Sequence, residues 1–142
     1  MINGAPGLGN DLKFLCRGAS LPSSSLGSVQ IPHMGRMYQL PCDRTFEDWT
    51  ITVLNDDKFN VRKAFEDWQK ELNDPMENTG TGYSPATAVI EQLGLDGKKV
   101  YGYQLEEVWP GEVGAIEMSW DSNDVVEEFT VSLKYNKMSH NA

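Results

Sequence analysis

The chain has 142 residues, of which 39% are hydrophobic, so it is long enough to bury a core and form one domain. Its formal net charge of −9 argues against tight binding of a polyanion such as nucleic acid. The sequence has no apolar run of about 18–20 residues that would span a bilayer, and residues 1–7 lack the features of a signal peptide. We therefore expect one domain over residues 1–142, with no membrane anchor, that folds in the cytoplasm of the cell that makes it.

The first part of the chain is predicted to be mostly irregular. Residues 1–11 are rich in Gly, Asn and Pro and indicate a flexible lead-in. Residues 12–17 favour a short strand. Residues 19–25 contain Pro22 and three consecutive serines, which are typical of a loop.

Three strands are predicted next. Residues 26–32 and 34–41 favour two strands, with His33-Met34-Gly35 as a hairpin corner or kink between them. In residues 47–54 apolar and polar residues alternate, which indicates a strand with one buried face. The side chains expected on that buried face are Trp49, Ile51 and Val53.

One helix is clear from the spacing of its apolar residues. Val61, Phe65, Trp68 and Leu72 follow one another at intervals of four, three and four, which places them on one helical face. The segment 55–57 (Asn-Asp-Asp) offers N-cap candidates, and the Asn-Asp-Pro at 73–75 ends the helix. The polar loop over residues 74–86 is long for a compact domain, which favours a role outside the subunit.

The C-terminal third is predicted to be mainly β. Residues 86–93 form a strand or a short helix, because periodicity does not decide between them, and residues 94–98 form a turn. A strand over 99–108 is followed by a turn or bend at Trp109-Pro110-Gly111. Two alternating strands, 112–121 and 125–135, are then expected, with a loose tail over 136–142. The side chains expected to point inward from these two strands are Ile116, Met118, Trp120, Phe129, Val131, Leu133 and Tyr135.

The residues do not indicate an active site. Glu106 and Glu107 are neighbours on a strand and face opposite sides, unlike a catalytic pair of carboxylates. The acidic turn at 121–124 lacks the glycine and the spacing of a calcium loop. Cys16 and Cys42 are predicted to be buried free thiols. We therefore expect no catalytic, metal-binding or cofactor-binding residues, and the pattern of short strands favours a mainly β sandwich or barrel.

Two segments carry a resemblance to a known family. They are residues 43–56 (DRTFEDWTITVLND) and residues 108–114 (VWPGEVG) continuing through 119–124 (SWDSND) to 128–131 (EFTV). With the segment 19–22 (ASLP) and the helix that carries Phe65 and Trp68, they resemble the major tail tube proteins of T-even-type contractile phages, from about residue 12 to residue 135.

The resemblance implies a fold, an assembly and a location. Members of this family have a β-sandwich or barrel-like subunit with one flanking helix. Six subunits form a ring in which their sheets join into one β-barrel, and the rings stack into a tube that conducts the viral genome into the host. The implied partners are copies of the chain itself, the tail sheath, and baseplate or tube-initiator proteins. DNA passes without specific binding, and the location is the virion. The family usually has another strand before the segment matching residues 12–17, which is expected to be missing or shortened here.

Two sets of candidate functional residues follow from the resemblance. Between residues 100 and 133 there is no Lys or Arg, and acids there would repel DNA if they face the channel. The candidate channel-facing acids are Glu106, Glu117, Asp121 and Glu128. The Ser-rich loop, the loop at 74–86 and Arg44 are candidates for contact between subunits. The candidate contact residues are Ser23, Ser24, Arg44, Glu77, Asn78, Thr79 and Tyr83.

Three other functions stay open at this point. The chain could be the tube protein of a secretion or extracellular injection system, which carries protein cargo instead of DNA. It could be a tube initiator or baseplate-hub relative with the same fold and few copies per particle. A small acidic hydrolase is the alternative from another class, and the empty search for motifs argues against it.

Overall fold

The structure is a computed structural model that describes residues 2–3, 7–8, 12, 15–77, 80, 85–119 and 126–140. It is mainly β, with one long helix beside the strands. The strands and the helix are β1 Ile2–Asn3, β2 Cys16–Ala19, β3 Ser24–His33, β4 Arg36–Phe46, β5 Trp49–Leu54, α1 Asn60–Leu72, β6 Ala86–Leu93, β7 Lys99–Val113, β8 Glu128–Lys134 and β9 Lys137–His140.

Seven strands belong to one antiparallel sheet, and β3 and β4 form a separate hairpin. The order in the sheet is β1-β6-β7-β8-β5-β2, with β9 also paired to β7. The 15-residue β7 joins the two halves of the sheet, because residues 99–108 pair with β6 and residues 109–113 pair with β8. Glu107 has a positive φ of 58° at the point where the neighbour changes. Such a conformation bends the strand, which lets the two halves face each other across a core.

The core lies where β5 and β8 pair. Ile51 lies opposite Val131 and Val53 lies opposite Phe129, and all four side chains are buried. Since neighbours along a strand point to opposite faces, the polar residues between them lie on the other side of the sheet. Helix α1 covers this core and contacts β7. Its buried residues are Val61, Phe65 and Trp68.

Helix α1 confirms the predicted apolar face, but it begins later than the N-cap prediction placed it. The residue before the helix is Phe59, which has a positive φ of 54° and makes no side-chain cap. Asp56 instead accepts a hydrogen bond from Asn60 Nδ2 at 3.0 Å. The helix ends before Pro75, as predicted.

The predictions for residues 109–111 and 114–119 are wrong. Strand β7 continues through Trp109, Pro110 and Gly111, where a turn was expected. A register shift between Pro110 and Glu112 accommodates the proline, since bulges are among the few places where a sheet tolerates it. Residues 114–119 are irregular instead of forming a strand, and Met118 is 81% exposed rather than turned inward. Trp120 lies outside the described residues.

The two ends of the chain also differ from the predictions. Ile2 pairs with Ala88 through the two-residue β1, and Leu8 is buried, so the lead-in contributes to the fold. Whether the further strand of the family is missing or shortened here stays a prediction. Leu12 and Leu15 are helical, and the strand predicted there begins at Cys16.

The C-terminal segment predicted as a loose tail contains β9, which pairs with residues 103–106 of β7. The two cysteines are free, but Cys42 is exposed and Cys16 is half-buried, so the prediction of two buried thiols is wrong. Other predictions are confirmed: the hairpin, β5, β8 and the turn at 94–98 occur where expected, and residues 86–93 form a strand.

Candidate assembly surface

The hairpin of β3 and β4, here called the arm (residues 24–46), is the most exposed part of the described chain. Met34 and Gly35 form its two-residue turn, and both have positive φ angles, of 47° and 73°. This combination occurs in type I′ turns, whose twist matches that of a hairpin. All residues of the arm are exposed except the half-buried Phe46 at its base. Neither face of the arm is therefore covered by the rest of the described chain.

One face of the arm is apolar. Residues directly opposite each other on paired strands lie on the same face, and Val29 pairs with Leu40 while Ile31 pairs with Tyr38. These four residues, here called the apolar face, are each 44–57% exposed. The opposite face is mixed, since it carries the pair Gln30 and Gln39 as well as the pair Pro32 and Met37.

The base of the arm is fixed to the sheet. The rings of Phe46 and Tyr135 are 5.3 Å apart, and the Tyr135 hydroxyl donates a 3.1 Å hydrogen bond to the Ser23 carbonyl. The indole of Trp49 donates a 2.7 Å hydrogen bond to the carbonyl of Ser20. Burial raises the pKa of Tyr135, and the nearby carboxylate of Glu47 adds to this effect. Both aromatic donors stay protonated over the ordinary pH range, so these contacts hold the direction of the arm.

The structure brings together three of the predicted contact residues. Ser23 lies just before the arm, where its hydroxyl donates a 2.9 Å hydrogen bond to Glu47, and Ser24 and Arg44 lie in the arm near its base. Glu77 lies apart from them, exposed in the turn after α1. Asn78, Thr79 and Tyr83 lie outside the described residues.

The apolar face itself was missed by the sequence reasoning. The sequence does contain a signal for it. Val29 and Ile31 alternate with polar residues in one predicted strand, and Tyr38 and Leu40 are spaced in the same way in the next, which places each pair on one face of its strand.

Three of the four predicted channel-facing acids lie in the described part of the chain. Glu128 is bound to Arg17 at 2.6 Å, and Glu106 accepts a 3.3 Å hydrogen bond from the side chain of Gln104. Glu117 is exposed in the irregular segment 114–119. Asp121 lies outside the described residues. Which of these acids face a channel stays a prediction.

A second group of contacts holds β9 to β7. Glu107 accepts a 2.9 Å hydrogen bond from Asn136 Nδ2 and pairs with the Lys137 ammonium at 3.1 Å. These two contacts, the hydrogen bond first, lower the pKa of Glu107. The Tyr101 hydroxyl and His140 Nδ1 are 2.7 Å apart at the far end of β9. The C-terminal strand is thus fastened at both of its ends.

An open cleft of about 290 Å³ lies between the two ends of the sheet. Ile2 and Ile90 line it on one side, and Cys16 and Ile51 line it on the other. Burial raises the pKa of the Cys16 thiol, so the thiol is protonated at neutral pH. Within the part of the chain that the structure describes, no group of three or more His, Cys, Asp or Glu side chains could hold a metal ion. Among the same residues, no helix is long and apolar enough to cross a membrane.

The chain is similar to known tail tube proteins. The phage tail tube protein family matches residues 3–141 of the chain. The tail tube protein gp19 of Enterobacteria phage T4 is 34% identical over 131 residues, which cover 89% of this chain and 80% of that protein. The tail tube protein of Serratia phage KSP90 is 27% identical and covers 88% of this chain and 72% of its own length.

The chain belongs to the phage tail tube protein family. It is a structural subunit of a phage tail tube and therefore a component of the virion, as its resemblance to the contractile-phage proteins predicted. Membership of this family implies a structural rather than an enzymatic role.

Solved structures show the same fold. A chain in the six-fold symmetrised baseplate of the anti-feeding prophage matches with a TM-score of 0.68 at 16% identity, over 87% of this chain and 78% of its own. A chain in the sheath–tube complex of an extracellular contractile injection system matches with a TM-score of 0.59 at 13% identity, over 89% of this chain and 80% of its own. These likenesses confirm the mainly β tail tube fold with one flanking helix.

Proposed function

We propose that this tail tube subunit forms hexameric rings that stack into a tube, and that the apolar face of the arm lies against a second copy of the chain. The observation that carries this proposal is the exposure of Val29, Ile31, Tyr38 and Leu40 on a hairpin that stands apart from the sheet. A two-stranded hairpin is marginally stable on its own in water, and a contiguous exposed apolar patch marks an interaction site.

The sheet supports ring formation in another way. Strand β2 ends the strand order and is paired only with β5 among the described residues. An open strand edge invites pairing with another chain, and closing the sheets of six subunits into one barrel removes it. The contact residues Ser23, Ser24 and Arg44 at the base of the arm, and Glu77 with its loop, are proposed to complete the contacts between subunits.

We propose that the channel of this tube conducts the viral genome and that its wall repels DNA. Each subunit brings a net charge of −9, and a ring multiplies it sixfold. A wall of like sign lets DNA slide without sticking. The sheath and the baseplate are the proposed partners outside the tube, since related folds occur in a sheath–tube complex and in a baseplate.

The channel proposal is tested with virions that carry Glu106→Lys or Glu128→Lys in the tube protein. Slower ejection of the genome is expected if these acids face the channel, because the new ammonium groups attract phosphate. Unchanged ejection by both variants would exclude these two acids from the channel wall.

The proposed role of the arm is tested by placing charge on each of its faces. Ile31→Asp with Tyr38→Asp puts two carboxylates on the apolar face, and Gln30→Asp with Gln39→Asp puts two on the opposite face of the same strands. Electron microscopy and size-exclusion chromatography should show rings or tubes for the wild-type protein and the second variant, and unassembled protein for the first. Equal assembly of both variants would contradict the proposed contact.

A further inference from the structure

Two long segments of this chain each carry charge of only one sign. Residues 12–42 contain no Asp or Glu, although the whole chain has 21 of them. Most of the arm lies within this acid-free segment. Residues 100–133 contain no Lys or Arg. Opposite charges on two surfaces of one chain suit association between copies, since they orient the encounter and fix its register.

The arm carries Arg44 near its base and Arg36 at its tip, here defined as residues 33–36. Arg36 lies opposite His33 in the register of the two strands, and both side chains are exposed. Beside them Met34 is 91% exposed. Arg36 has no ion pair or side-chain hydrogen bond within the described part of the chain. The arm therefore ends in an unpaired guanidinium next to an apolar side chain.

Most described acids of the base-free segment already have a partner in their own chain. Side-chain partners are found for Glu106, Glu107, Glu127 and Glu128. Glu112 and Glu117 are exposed and have no such partner among the described residues. Met118, which follows Glu117, is almost as exposed as Met34. We call Glu112, Glu117 and Met118 the acidic rim.

We propose that the arm tip of one subunit docks on the acidic rim of a second copy, with Arg36 between Glu112 and Glu117 and Met34 against Met118. The two surfaces match in charge and in apolar content, and each lacks a partner in its own described chain. This inference rests on the proposed self-assembly through the arm, and it names the surface that receives the tip.

The experiment is a charge swap measured on tube assembly by purified full-length protein. The first variant is Arg36→Glu, the second is Glu112→Lys with Glu117→Lys, and the third combines all three changes. Since one surface ion pair contributes up to about 1 kcal/mol, we expect the critical concentration for assembly to rise by up to about fivefold in the first two variants. The combined variant should return to within about twofold of the wild type, because it restores the opposite charges.

A matched control separates the pairing from the change in net charge. Lys63 is exposed on α1, and Lys63→Glu changes the net charge by the same amount as Arg36→Glu. The control should leave the critical concentration unchanged at about 0.15 M salt, where distant surface charges are screened. Failure of the combined variant to recover, or equal loss in the Lys63 control, would overturn the inference. The proposed function stands in that case if the wild type forms rings and tubes, and falls if the wild type stays monomeric.

Discussion

The sheet and the arm are built from similar sequences and differ in what covers them. In β5 every second residue is buried, and β8 shows the same alternation in its burial. In β3 and β4 the alternation of Val29, Ile31 and their neighbours continues, yet the apolar side chains remain in water. The sheet thus obtains its stability within the subunit, and the arm is expected to obtain it from assembly. Alternation of apolar and polar residues predicts a strand, but it does not show whether the same subunit or another one packs against the apolar face.

The largest expected difference between the two regions is in the free energy of unfolding. Phe65 is fully buried on the inner face of α1, so Phe65→Ala should lower the stability of the unassembled subunit by about 3–5 kcal/mol through lost burial and a cavity. Ile31→Ala in the arm should change it by less than about 0.5 kcal/mol. Denaturant unfolding of the two variants checks this. Similar losses would mean that the arm packs within the subunit.

A smaller effect is expected from a methyl group added just after the end of β7. A Cβ atom on Gly114 would lie 2.7 Å from Thr130 Oγ1 and 2.8 Å from the Thr130 carbonyl oxygen, too close for either to tolerate. Gly114→Ala should therefore cost about 1–3 kcal/mol in thermal or denaturant unfolding. Gly18→Ala is the control, since no atom lies within 4 Å of its Cβ position. Equal stability of the two variants would argue against close packing at the end of β7.

The smallest expected effect concerns the fastening of β9. The pKa of Glu107 is lowered, first by the hydrogen bond from Asn136 and then by Lys137. The ionised carboxylate therefore contributes to the stability of the folded state at pH values above the ordinary glutamate pKa. That contribution is lost as the pH falls through the lowered value in the folded state. Glu107→Gln should therefore show a weaker loss of stability on acidification than the wild type.

The measurement for β9 is unfolding followed as a function of pH. Glu117→Gln is the matched control, because Glu117 is exposed and has no side-chain partner in the described chain. A wild-type pH dependence in the Glu107→Gln variant would show that this carboxylate does not fasten the C-terminal strand.

Local sequence patterns predicted the helix and most strands correctly, and they failed where contacts with distant residues determine the local structure. The helical spacing of Val61, Phe65 and Trp68 and the hairpin corner at Gly35 are set by neighbouring residues, so both predictions were confirmed. Pro110 indicated a turn, but a bulge lets it remain in β7, and only the pairing with β8 reveals that.

The residues of the candidate assembly surface were named from the sequence only in part, and their role in contacts stays a prediction. Ser23 and Arg44 were chosen from a loop and from a family resemblance, and they do lie at the base of the arm. Val29 and Ile31 were expected to be ordinary strand residues, because the sequence of one strand does not show whether its partner belongs to the same molecule.

Hydrogen exchange of backbone amides tests most directly whether assembly covers the arm. The amides of residues 28–41 should exchange quickly in the unassembled subunit and be strongly protected in the tube, while those of β5 and β8 should be protected in both. Equally fast exchange of residues 28–41 in the assembled tube would contradict the proposal that the arm lies against a second copy.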